Sequence, residues 1–429
     1  MARRKIISGV KGMRDILPAQ QPLWDKMRKG AEETAAAFGF WRLDTPILEE
    51  QDLFARGIGL GTDIVEKEMF TLTTRGRDKL ALRPEFTAGV VRAFIQHGLF
   101  SLAQPLKLWS LGPLFRYEQP QAGRFRQLRQ FNLEVFGAAD AILDAQIIQA
   151  GFWFFKKIGL KNIILHLNSL GCAKCRKEYR RALLAYYRPH KNKLCADCKK
   201  RSRQNPLRLL DCKKEQCQEL AQKAPLLVDH VCDDCKDHFK QVLDYLDGLE
   251  ISYYLDNTLV RGLDYYNKTV FEFFAADEKE GKKNALGGGG RYDGLVKLLG
   301  GKDTPAVGMA VGLERVAEEI KKQGVKINGQ NQPTVFLIQL GKMAKKRSLL
   351  LFEELLRARL AVAESFSRDS IKSQLKLADK QGAKIALILG QQEALDDSVI
   401  IRVMETGVQE IVPLVKVIKE LKKKLQKLK

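Results

Sequence analysis

Apolar and polar residues follow two different periods along this chain, and each period predicts a different element. The segment 21–38 places apolar residues at near-helical spacing, namely Leu23, Met27, Ala31 and Ala35. Side chains spaced in this way lie on one face of an α-helix. We therefore expect an amphipathic helix near the start of the chain.

Short apolar runs predict a pair of strands further along. The runs LKLWSLGPLF and QFNLEVFG follow a segment with helical spacing, TAGVVRAFIQHGL. Runs of this length, rich in aromatic and branched residues, are typical of strands, and the glycine-containing stretch between them suits a turn. We expect a helix followed by an antiparallel hairpin.

The pattern changes sharply between Gly171 and Gly248. Cysteines, lysines and short helical segments replace the strand-like runs there. Strand-like runs resume at ISYYLDNTLV and TVFEFFAA, followed by the glycine run 287–290 and a helical stretch, VGLERVAEEIKKQG. Because similar strands precede and follow it, we interpret the middle segment as an inserted domain.

The last part of the chain alternates strands and helices. After a loop, the runs TVFLIQL, AKIALILG and SVIIRVM are separated by helical segments, and a basic helix closes the chain. This alternation is typical of a small α/β domain. The predicted divisions are therefore 1–168 and 251–327, which form one domain, 169–250 as its insertion, and 334–429 as the last domain.

Length and charge add two expectations. A chain of 429 residues exceeds what one hydrophobic core usually organises, so we expect two or three domains. The formal net charge is +22, which favours a polyanionic partner such as RNA or DNA because protein cations replace its condensed counterions. A surface that is merely rich in lysine would carry the same charge.

Membrane and secretory signals are missing from the pattern. No apolar run approaches the roughly 20 residues that a membrane span needs. The opening MARRKIISGVKGMRDILP lacks the apolar stretch and cleavage site of a secretory signal. We expect a soluble, cytoplasmic protein with no membrane contact.

Charged residues crowd the predicted hairpin. Its phrase FRYEQPQAGRFRQLRQFNLEVFG contains Arg116, Glu118, Arg124 and Glu134. Guanidinium groups bind phosphate through bidentate, charge-assisted hydrogen bonds, so several on one loop could hold a triphosphate. A carboxylate among them could hold Mg²⁺ or an amine. Taken alone, the phrase would also suit a surface hairpin with ordinary ion pairs.

The phrase resembles motif 2 of class II aminoacyl-tRNA synthetases, and other segments resemble one family of that class, the histidyl-tRNA synthetases, in the same order. KGMRDILP is similar to the N-terminal signature, LALRPEFTAGVVRAF to the segment carrying an acidic amino-acid ligand, and AVGMAVGLERV to motif 3. LVRGLDYYNKTVFEFF and GGGGRYDGL resemble the two histidine-specific motifs. With SIKSQLKLADKQGAKIALILG near the end, the resemblance covers the whole chain.

The resemblance implies a fold and a reaction. The fold would be α+β, with an antiparallel class II catalytic sheet and flanking helices, a Cys-rich helical insertion over the tRNA acceptor arm, and a C-terminal α/β anticodon-binding domain. Members of the family activate L-histidine with ATP to histidyl-adenylate and then transfer it to the 3′ end of histidine tRNA. They work as homodimers, and their ATP carries Mg²⁺.

Residues that would bind histidine follow from the matching motifs. They are Glu85, Thr87, Gln130, Glu134, Arg261, Tyr265 and Tyr266. Glu85 and Thr87 would contact the α-amino end, since an ammonium group needs acceptors once water leaves. The two tyrosines would close the imidazole pocket, where polar pairing rejects other side chains. Outside this motif, adjacent tyrosines would be ascribed to alternating faces of a strand.

The same resemblance implies a nucleotide site. Its residues would be Arg116, Glu118, Arg124 and Arg315. Arg116 and Arg261 are the implied catalytic residues and would converge on the α-phosphate, where the histidine carboxylate attacks. In this family a guanidinium at Arg261 takes a position where other class II enzymes place a metal. The glycine run 287–290 would let backbone approach substrate, although a plain loop has the same composition.

Four residues depart from the family pattern. Phe86 stands where glycine or methionine is usual, and Gln119 and Ala122 replace arginine and lysine in the hairpin loop. Leu128 replaces an aromatic residue that stacks on adenine. The contacts that these departures affect are those to adenine and to the tRNA acceptor end.

Cysteine spacing predicts metal sites in the insertion. The eight cysteines are Cys172, Cys175, Cys195, Cys198, Cys212, Cys217, Cys232 and Cys235. In a chain without a secretory signal, such clustering favours metal or reduced thiols over disulfides. CxxC pairs suit tetrahedral Zn²⁺, and eight thiolates could form two sites. Spacing does not say which pair joins which.

Two other functions fit part of the pattern. The synthetase-like regulatory subunit of ATP phosphoribosyltransferase binds histidine without charging tRNA, and it lacks the C-terminal domain predicted here at 334–429. An RNA-binding module with a decayed active site would not need Arg116, Glu134, Arg261 and Arg315, which are all present. The intact RGLDYYN phrase and the positive charge favour the synthetase.

Overall fold

The apolar runs of the sequence become buried strands in the structure, a computed structural model that describes residues 7–119, 123–276, 285–327 and 333–428. The chain forms two units, Met1–Ile327 and Asn328–Lys429.

Strands of the first unit fall into two sheets. In chain order they are β1 (Trp41–Arg42), β2 (Leu48–Glu50), β3 (Phe70–Thr73), β4 (Lys79–Leu82), β5 (Leu106–Phe115), β6 (Gln127–Phe136), β7 (Ile163–Ser169), β8 (Tyr253–Leu255), β9 (Asn267–Ala275), β10 (Ala285–Arg291) and β11 (Ala306–Gly312). The large sheet has the order β1-β5-β6-β11-β10-β9-β7-β8, and the small sheet has the order β2-β4-β3. Only the edge pairs β1/β5 and β7/β8 of the large sheet are parallel, so its centre is antiparallel.

Helices surround these strands. In the first unit they are α1 (Gln21–Ala37), α2 (Gln51–Ile58), α3 (Thr87–Gln96), α4 (Ala141–Ile158), α5 (Ala173–Tyr187), α6 (Ala196–Gln204), α7 (Glu215–Gln222), α8 (Asp233–Gly248), α9 (Leu295–Leu298) and α10 (Leu313–Lys322). Helix α1 buries the predicted face, Leu23, Met27, Ala31 and Ala35. Helix α4 begins where the Asp140 carboxylate accepts from a backbone N–H and ends at Gly159 in the left-handed region (φ 88°).

Helices α5 to α8 lie between β7 and β8 in the chain. The outer strands of the sheet therefore come from both sides of this helical segment, because β7 pairs with both β8 and β9. This helical segment therefore interrupts the large sheet along the chain. Its definition as an inserted domain at 169–250 stays a prediction.

The second unit has its own sheet. Its strands are β12 (Val335–Gln339), β13 (Val362–Glu364), β14 (Ile385–Leu389), β15 (Ser398–Val403) and β16 (Gln409–Pro413), and its helices are α11 (Lys342–Arg357), α12 (Ile371–Lys380), α13 (Gln391–Leu395) and α14 (Val417–Lys427). The order is β13-β12-β14-β15-β16, parallel through β13, β12 and β14 and antiparallel beyond. Together the two units confirm the α+β prediction.

One predicted element differs from the structure. The run ISYYLDNTLV gives only the three-residue strand β8, after which the chain turns away into a loop that carries Arg261 to Tyr266. For the glycine run 287–290, composition left a plain loop open, and the structure places the run inside β10. Within the described ranges, no helix is both long and apolar enough to span a bilayer.

Candidate active site

A cavity of about 910 Å³ opens over the central strands of the large sheet. The predicted residues that line it are Glu85, Thr87, Arg116, Glu118, Arg124, Gln130, Arg261, Tyr265, Tyr266 and Arg315. They come from widely separated parts of the sequence. The fold therefore gathers the predicted histidine-binding and nucleotide-binding residues around one cavity, except Glu134, which is buried and does not itself line the cavity.

One end of the cavity is built from carboxylates. Glu85 accepts from the backbone N–H groups of Thr87 and Ala88, at 3.1 and 2.7 Å, and so caps the N-terminus of α3. Its Oε2 also accepts from the Tyr265 hydroxyl at 3.1 Å. The Thr87 hydroxyl donates to Glu134 Oε1 at 2.6 Å. These hydrogen bonds join α3, β6 and the loop before β9 into one network.

Tyr292 belongs to this network, although the sequence analysis did not single it out. Its hydroxyl donates to Glu134 Oε2 at 2.5 Å, and its ring lies edge-on to Tyr265 with centroids 5.6 Å apart. The available signal was the GGGGRYDGL phrase, which ends β10 and places this tyrosine beside the glycines. Asn132, two residues before Glu134 on β6, lines the cavity as well.

Glycines on β10 and β11 leave room for the site's charged groups. A Cβ at Gly308, which is paired with Glu134 across the strands, would lie 1.7 Å from Glu134 Oε2. A Cβ at Gly288 would lie 2.8 Å from Arg261 Nη1 and 2.5 Å from the carbonyl of Phe271. Both contacts are shorter than van der Waals distances, so glycine is required at these positions for the observed packing.

Burial sets the protonation of the carboxylates. It raises the pKa of Glu134 to about 8, because desolvation and the nearby charge of Glu85 outweigh the hydrogen bonds from Thr87 and Tyr292. Burial also raises the pKa of Glu85, and the backbone hydrogen bond from Ala88 offsets part of the effect. A cationic group entering this end would stabilise both ionised carboxylates.

Arg261 lies between the two ends. It forms an ion pair with Glu272 of β9, a residue the sequence did not indicate. Burial alone would lower the pKa of Arg261, but the Glu272 carboxylate together with Tyr266 and Tyr265 offsets burial, and the pKa is raised. Its Nε and the Oε1 of Gln130 are buried without a hydrogen-bond partner among the described residues. Unpaired buried groups of this kind are available to a ligand.

Cations dominate the other end. Arg116 is fixed at the end of β5, where its Nε donates to the carbonyl of Pro84 at 2.8 Å. Arg124 and Glu118 form an ion pair at 3.5 Å. Burial and the charge of Arg124 lower the pKa of Arg315. Convergent guanidinium groups that destabilise one another in this way favour a bound polyanion.

The four residues that depart from the family pattern lie in different surroundings. Phe86 is buried, with the Arg83 guanidinium carbon 4.3 Å from its ring centroid, so this change affects the core beneath α3. Leu128 lines the cavity and offers an aliphatic surface there. Gln119 is exposed, and Ala122 lies outside the described residues.

The eight cysteines gather into two groups. The first group consists of Cys172, Cys175, Cys232 and Cys235, and the second of Cys195, Cys198, Cys212 and Cys217. Within each group the sulfur atoms lie within 4.8 Å of one another, and all eight thiols are free. Each group could hold a metal ion. The structure thus gives the pairing that spacing left open.

Comparisons with known proteins show the family of this chain. A family model described as histidyl-tRNA synthetase matches residues 12–316, and one described as anticodon binding domain matches residues 334–424. The histidine–tRNA ligase of Dehalococcoides mccartyi is 44% identical over 415 residues, which are 97% of this chain and 99% of that protein. The apo histidyl-tRNA synthetase of S. aureus superposes with a TM-score of 0.82 at 32% identity, covering 97% of this chain and all of that one.

A third similarity reports the fold alone. An ATP phosphoribosyltransferase regulatory subunit/histidyl-tRNA synthetase from Bacillus halodurans is 21% identical, with a TM-score of 0.64 over 90% of this chain and 99% of that one. This likeness shows a shared fold, whereas the family follows from the family model and from the relative that is 44% identical. On both grounds, this chain belongs to the histidyl-tRNA synthetase family.

Proposed function

We propose that this chain activates L-histidine with ATP, forming histidyl-adenylate and pyrophosphate, and then transfers histidine to the 3′ end of its tRNA. The observation that carries the proposal is the single cavity with two chemically different ends. Glu85 provides buried negative charge at one end, with Glu134 behind the cavity wall and hydrogen-bonded to the lining residue Thr87, while Arg116 and Arg315 provide positive charge at the other end and Arg261 lies between. An amino acid with an ammonium group and a nucleotide with phosphates fit these ends in one orientation.

Histidine binds at the carboxylate end in this proposal. Its ammonium group is accepted by Glu85, Thr87 and the buried Oε1 of Gln130, which has no partner in the described structure. Tyr265 and Tyr266, both buried, enclose the imidazole beside Glu134. Because these polar groups are out of water, a side chain that cannot hydrogen-bond would leave them unpaired and would be rejected.

Activation takes place between the two ends. The histidine carboxylate forms a bond to the α-phosphorus of ATP, and the bond from that phosphorus to the β-phosphate oxygen breaks and releases pyrophosphate. Arg116 and Arg261 stabilise the charge on the α-phosphate oxygens during this transfer. Because Arg261 is buried and already oriented by Glu272, it needs no reorganisation as the charge develops.

The distal phosphates of ATP meet Arg124 and Arg315. Mg²⁺ would accompany them, and the acidic groups nearby fit a cation, since burial and the charge of Glu118 raise the pKa of Glu68. When bound with ATP, the ion would neutralise phosphate charge. Glu118, paired with Arg124 at the mouth of the cavity, faces the same part of the nucleotide.

Transfer to tRNA requires the 3′-terminal hydroxyl to reach the adenylate. It attacks the carbonyl carbon of the mixed anhydride and releases AMP, so positioning dominates this step. Lys213 and Lys214 of the helical insertion line the cavity and could contact the terminal phosphates. The proposal assigns 169–250 to the acceptor arm and 334–429 to the anticodon, supported by the match of 334–424 to an anticodon-binding family.

The proposal includes a homodimer. Apolar side chains are exposed on the small sheet at Leu48 and Leu72, just before its first strand at Ile47, and on the edge strand β1 of the large sheet at Trp41. Exposed apolar groups of this kind suit a second protein surface.

The decisive experiment is histidine-dependent ATP–pyrophosphate exchange, run beside charging of histidine tRNA. We expect both activities in the wild type and a loss of about 100-fold or more in Arg261→Ala, because one preorganised donor to the transition state is removed. Arg28→Ala, which changes an exposed arginine of α1, is the matched control and should behave like the wild type. Full exchange in Arg261→Ala would refute the role of Arg261.

The regulatory-subunit alternative is separated by the same assay. Wild-type protein that binds histidine yet supports neither exchange nor charging would refute the synthetase proposal in favour of that alternative.

A further inference from the structure

The cysteine groups have the dimensions of mononuclear metal sites. A tetrahedral Zn²⁺ with thiolates at about 2.3 Å separates neighbouring sulfur atoms by about 3.8 Å. Cys172 and Cys175 have their sulfur atoms 3.5 Å apart, and Cys195 and Cys212 have theirs 3.9 Å apart. A disulfide would need about 2.05 Å. Four sulfur atoms within 4.8 Å enclose room for one ion rather than an iron–sulfur cluster.

Local backbone geometry favours thiolates in both groups. Cys172, Cys195 and Cys232 occupy the N-caps of α5, α6 and α8, where the helix dipole stabilises negative charge. Backbone N–H groups also point at sulfur: Cys232 N donates to Cys175 Sγ at 3.1 Å, and Cys198 N donates to Cys195 Sγ at 3.4 Å. Such donors orient metal ligands in thiolate sites.

The two groups fasten different parts of the insertion. The first joins the start of α5 to the start of α8, so it ties together the segments by which the insertion leaves and rejoins the sheet. The second joins the start of α6 to the residues before and within α7. The first group therefore fixes the starts of α5 and α8, and the second fixes the start of α6.

Helices α5 and α6 contact the loop that carries the histidine-specific residues 261–266. Arg176, next to Cys175 on α5, donates through Nη1 to the carbonyls of Asp264 and Tyr266, at 3.3 and 3.1 Å. Asn205, at the C-cap of α6, donates through Nδ2 to Asp264 Oδ1 at 2.5 Å. Asp264 thus accepts one hydrogen bond from each of these two helices.

On the other side, Asp264 meets the body of the catalytic unit. Its backbone N–H donates to the carbonyl of Ile58 at 3.1 Å. Its carboxylate packs on Gly59, where a Cβ would lie 2.7 Å from Oδ2. The loop therefore lies clamped between α2 and the insertion, with Tyr265 and Tyr266 immediately after the clamped residue.

We infer that each chain holds two Zn²⁺ ions, one in each four-cysteine group, and that the ions keep Arg176 and Asn205 against Asp264 so that the histidine pocket stays formed. The first half of this inference is independent of the reaction, and the second half rests on the proposed function. Arg176 and Asn205 are positioning residues in this account, since they act on histidine through the loop.

Metal content tests the first half. Full-length protein is purified with a thiol reductant and without chelator. It should contain two zinc ions per chain, measured by inductively coupled plasma mass spectrometry. A mercurial that blocks thiols should release both ions as eight thiols react. Cys172→Ser and Cys232→Ser should each lose one ion, and the double variant should lose the same single ion. Cys195→Ser should lose the other.

Several outcomes would overturn the metal assignment. They are wild-type protein that carries no metal, iron in place of zinc, or loss of different ions in Cys172→Ser and Cys232→Ser. The wild-type measurement decides the question even if a cysteine variant fails to fold.

Steady-state exchange kinetics test the second half. Arg176→Ala and Asn205→Ala should each raise KM for histidine about tenfold and leave KM for ATP within twofold, because the part of the loop that they contact, Asp264 to Tyr266, borders the amino-acid end. Release of zinc by the mercurial should produce the same change. Arg180→Ala, an exposed arginine one turn further along α5, is the control and should match the wild type.

The coupling would be wrong if zinc release left KM for histidine unchanged, or if both KM values rose together. Exchange that is absent in the zinc-loaded wild type would instead refute the proposed function and leave the metal sites standing.

Discussion

Glu134 is a binding-site residue whose ionised carboxylate is destabilised by burial in the folded chain. Its carboxyl is buried beside a second carboxyl, Glu85, and accepts hydrogen bonds from Thr87 and Tyr292. Hydrogen bonds from neutral hydroxyls do not replace the water that an ionised carboxylate loses. Without a cation, this end of the site favours the protonated form.

Stability should therefore vary with pH through Glu134. Its pKa is raised to about 8 in the folded chain, so between its ordinary value and pH 8 the folded state keeps a proton that the unfolded state has lost. Raising the pH through this window favours unfolding, by at most about 1.4 kcal/mol per pH unit for one group. Glu134→Gln lacks this dependence, and its melting temperature relative to wild type should rise from pH 5 to pH 8 and level off above.

The control for this series is Glu33→Gln, which changes an exposed carboxylate of α1. Its melting temperature should follow the wild type at every pH. A Glu134→Gln curve parallel to the wild type across the same range would contradict the raised pKa.

The positions of site residues could be predicted where a sequence motif includes them. Glu85, Arg116 and Arg261 could be located because ordered motif matches fixed their place, and the structure brings them to one cavity. Tyr292 and Glu272 could not be found in this way, since their importance arises from contacts with Glu134 and Arg261 across neighbouring strands. The grouping of the eight cysteines into two sets of four could not be predicted either, because their spacing in the sequence does not determine which helix starts lie close together.

Strands β10 and β11 make the floor of the site from backbone. Glycines in both strands remove the side chains that would otherwise fill the space of Glu134 and Arg261. Four consecutive glycines suggest a loop by composition, yet neighbouring strands on both sides satisfy their backbone groups. Composition alone does not distinguish a loop from a strand at 287–290, because the strand depends on the neighbouring strands that pair with it.

Gly308→Ala should abolish activity without changing any polar group. The new Cβ would lie 1.7 Å from Glu134 Oε2 and 2.7 Å from the carbonyl of Leu133, so the carboxylate and the strand must shift. We expect pyrophosphate exchange to fall by about 100-fold or more, and stability to fall by about 1–3 kcal/mol, as for other overpacked sites. Exchange assays and thermal melting measure the two effects.

Gly294→Ala is the matched control for this change. Gly294 has φ of −87° and open space around the position of a Cβ. Its activity and melting temperature should equal those of the wild type. Normal exchange in Gly308→Ala would show that the geometry of Glu134 does not matter for activation.

Elements with strong periodicity were predicted well. The run LKLWSLGPLF became β5 with the same bounds, and segment 21–38 became α1, which ends one residue earlier. The prediction of a strand along the whole run ISYYLDNTLV was wrong, because its last apolar residues are buried in a loop and not in a strand. Leu259 and Val260 are buried after the chain has left β8, so their hydrophobicity reports burial and not strand pairing.

Charge acts on the whole molecule. An excess of 22 positive charges should attract a polyanion at long range, whereas histidine binds in a cavity whose charges are partly buried. Salt should therefore weaken the binding of tRNA far more than that of histidine.

The expected size of the salt effect on tRNA affinity follows from counterion release. Each phosphate contact contributes about 0.9 to the slope of log affinity against log salt, so two contacts weaken binding about tenfold between 50 and 200 mM salt. We expect at least this change in the Kd of histidine tRNA, measured by filter binding, and less than threefold in KM for histidine. Equal tRNA affinity at both salt concentrations would contradict the role of the positive surface.

The order of strands has a consequence for the growing chain on the ribosome. Strand β6 pairs with β11, which is made only after the helical insertion, β9 and β10. The hairpin β5/β6 therefore emerges with an open edge that no later strand covers until Ala306–Gly312 has left the exit tunnel. All eight cysteines leave the tunnel within that interval, so the insertion can complete its own structure before the divided sheet closes against it.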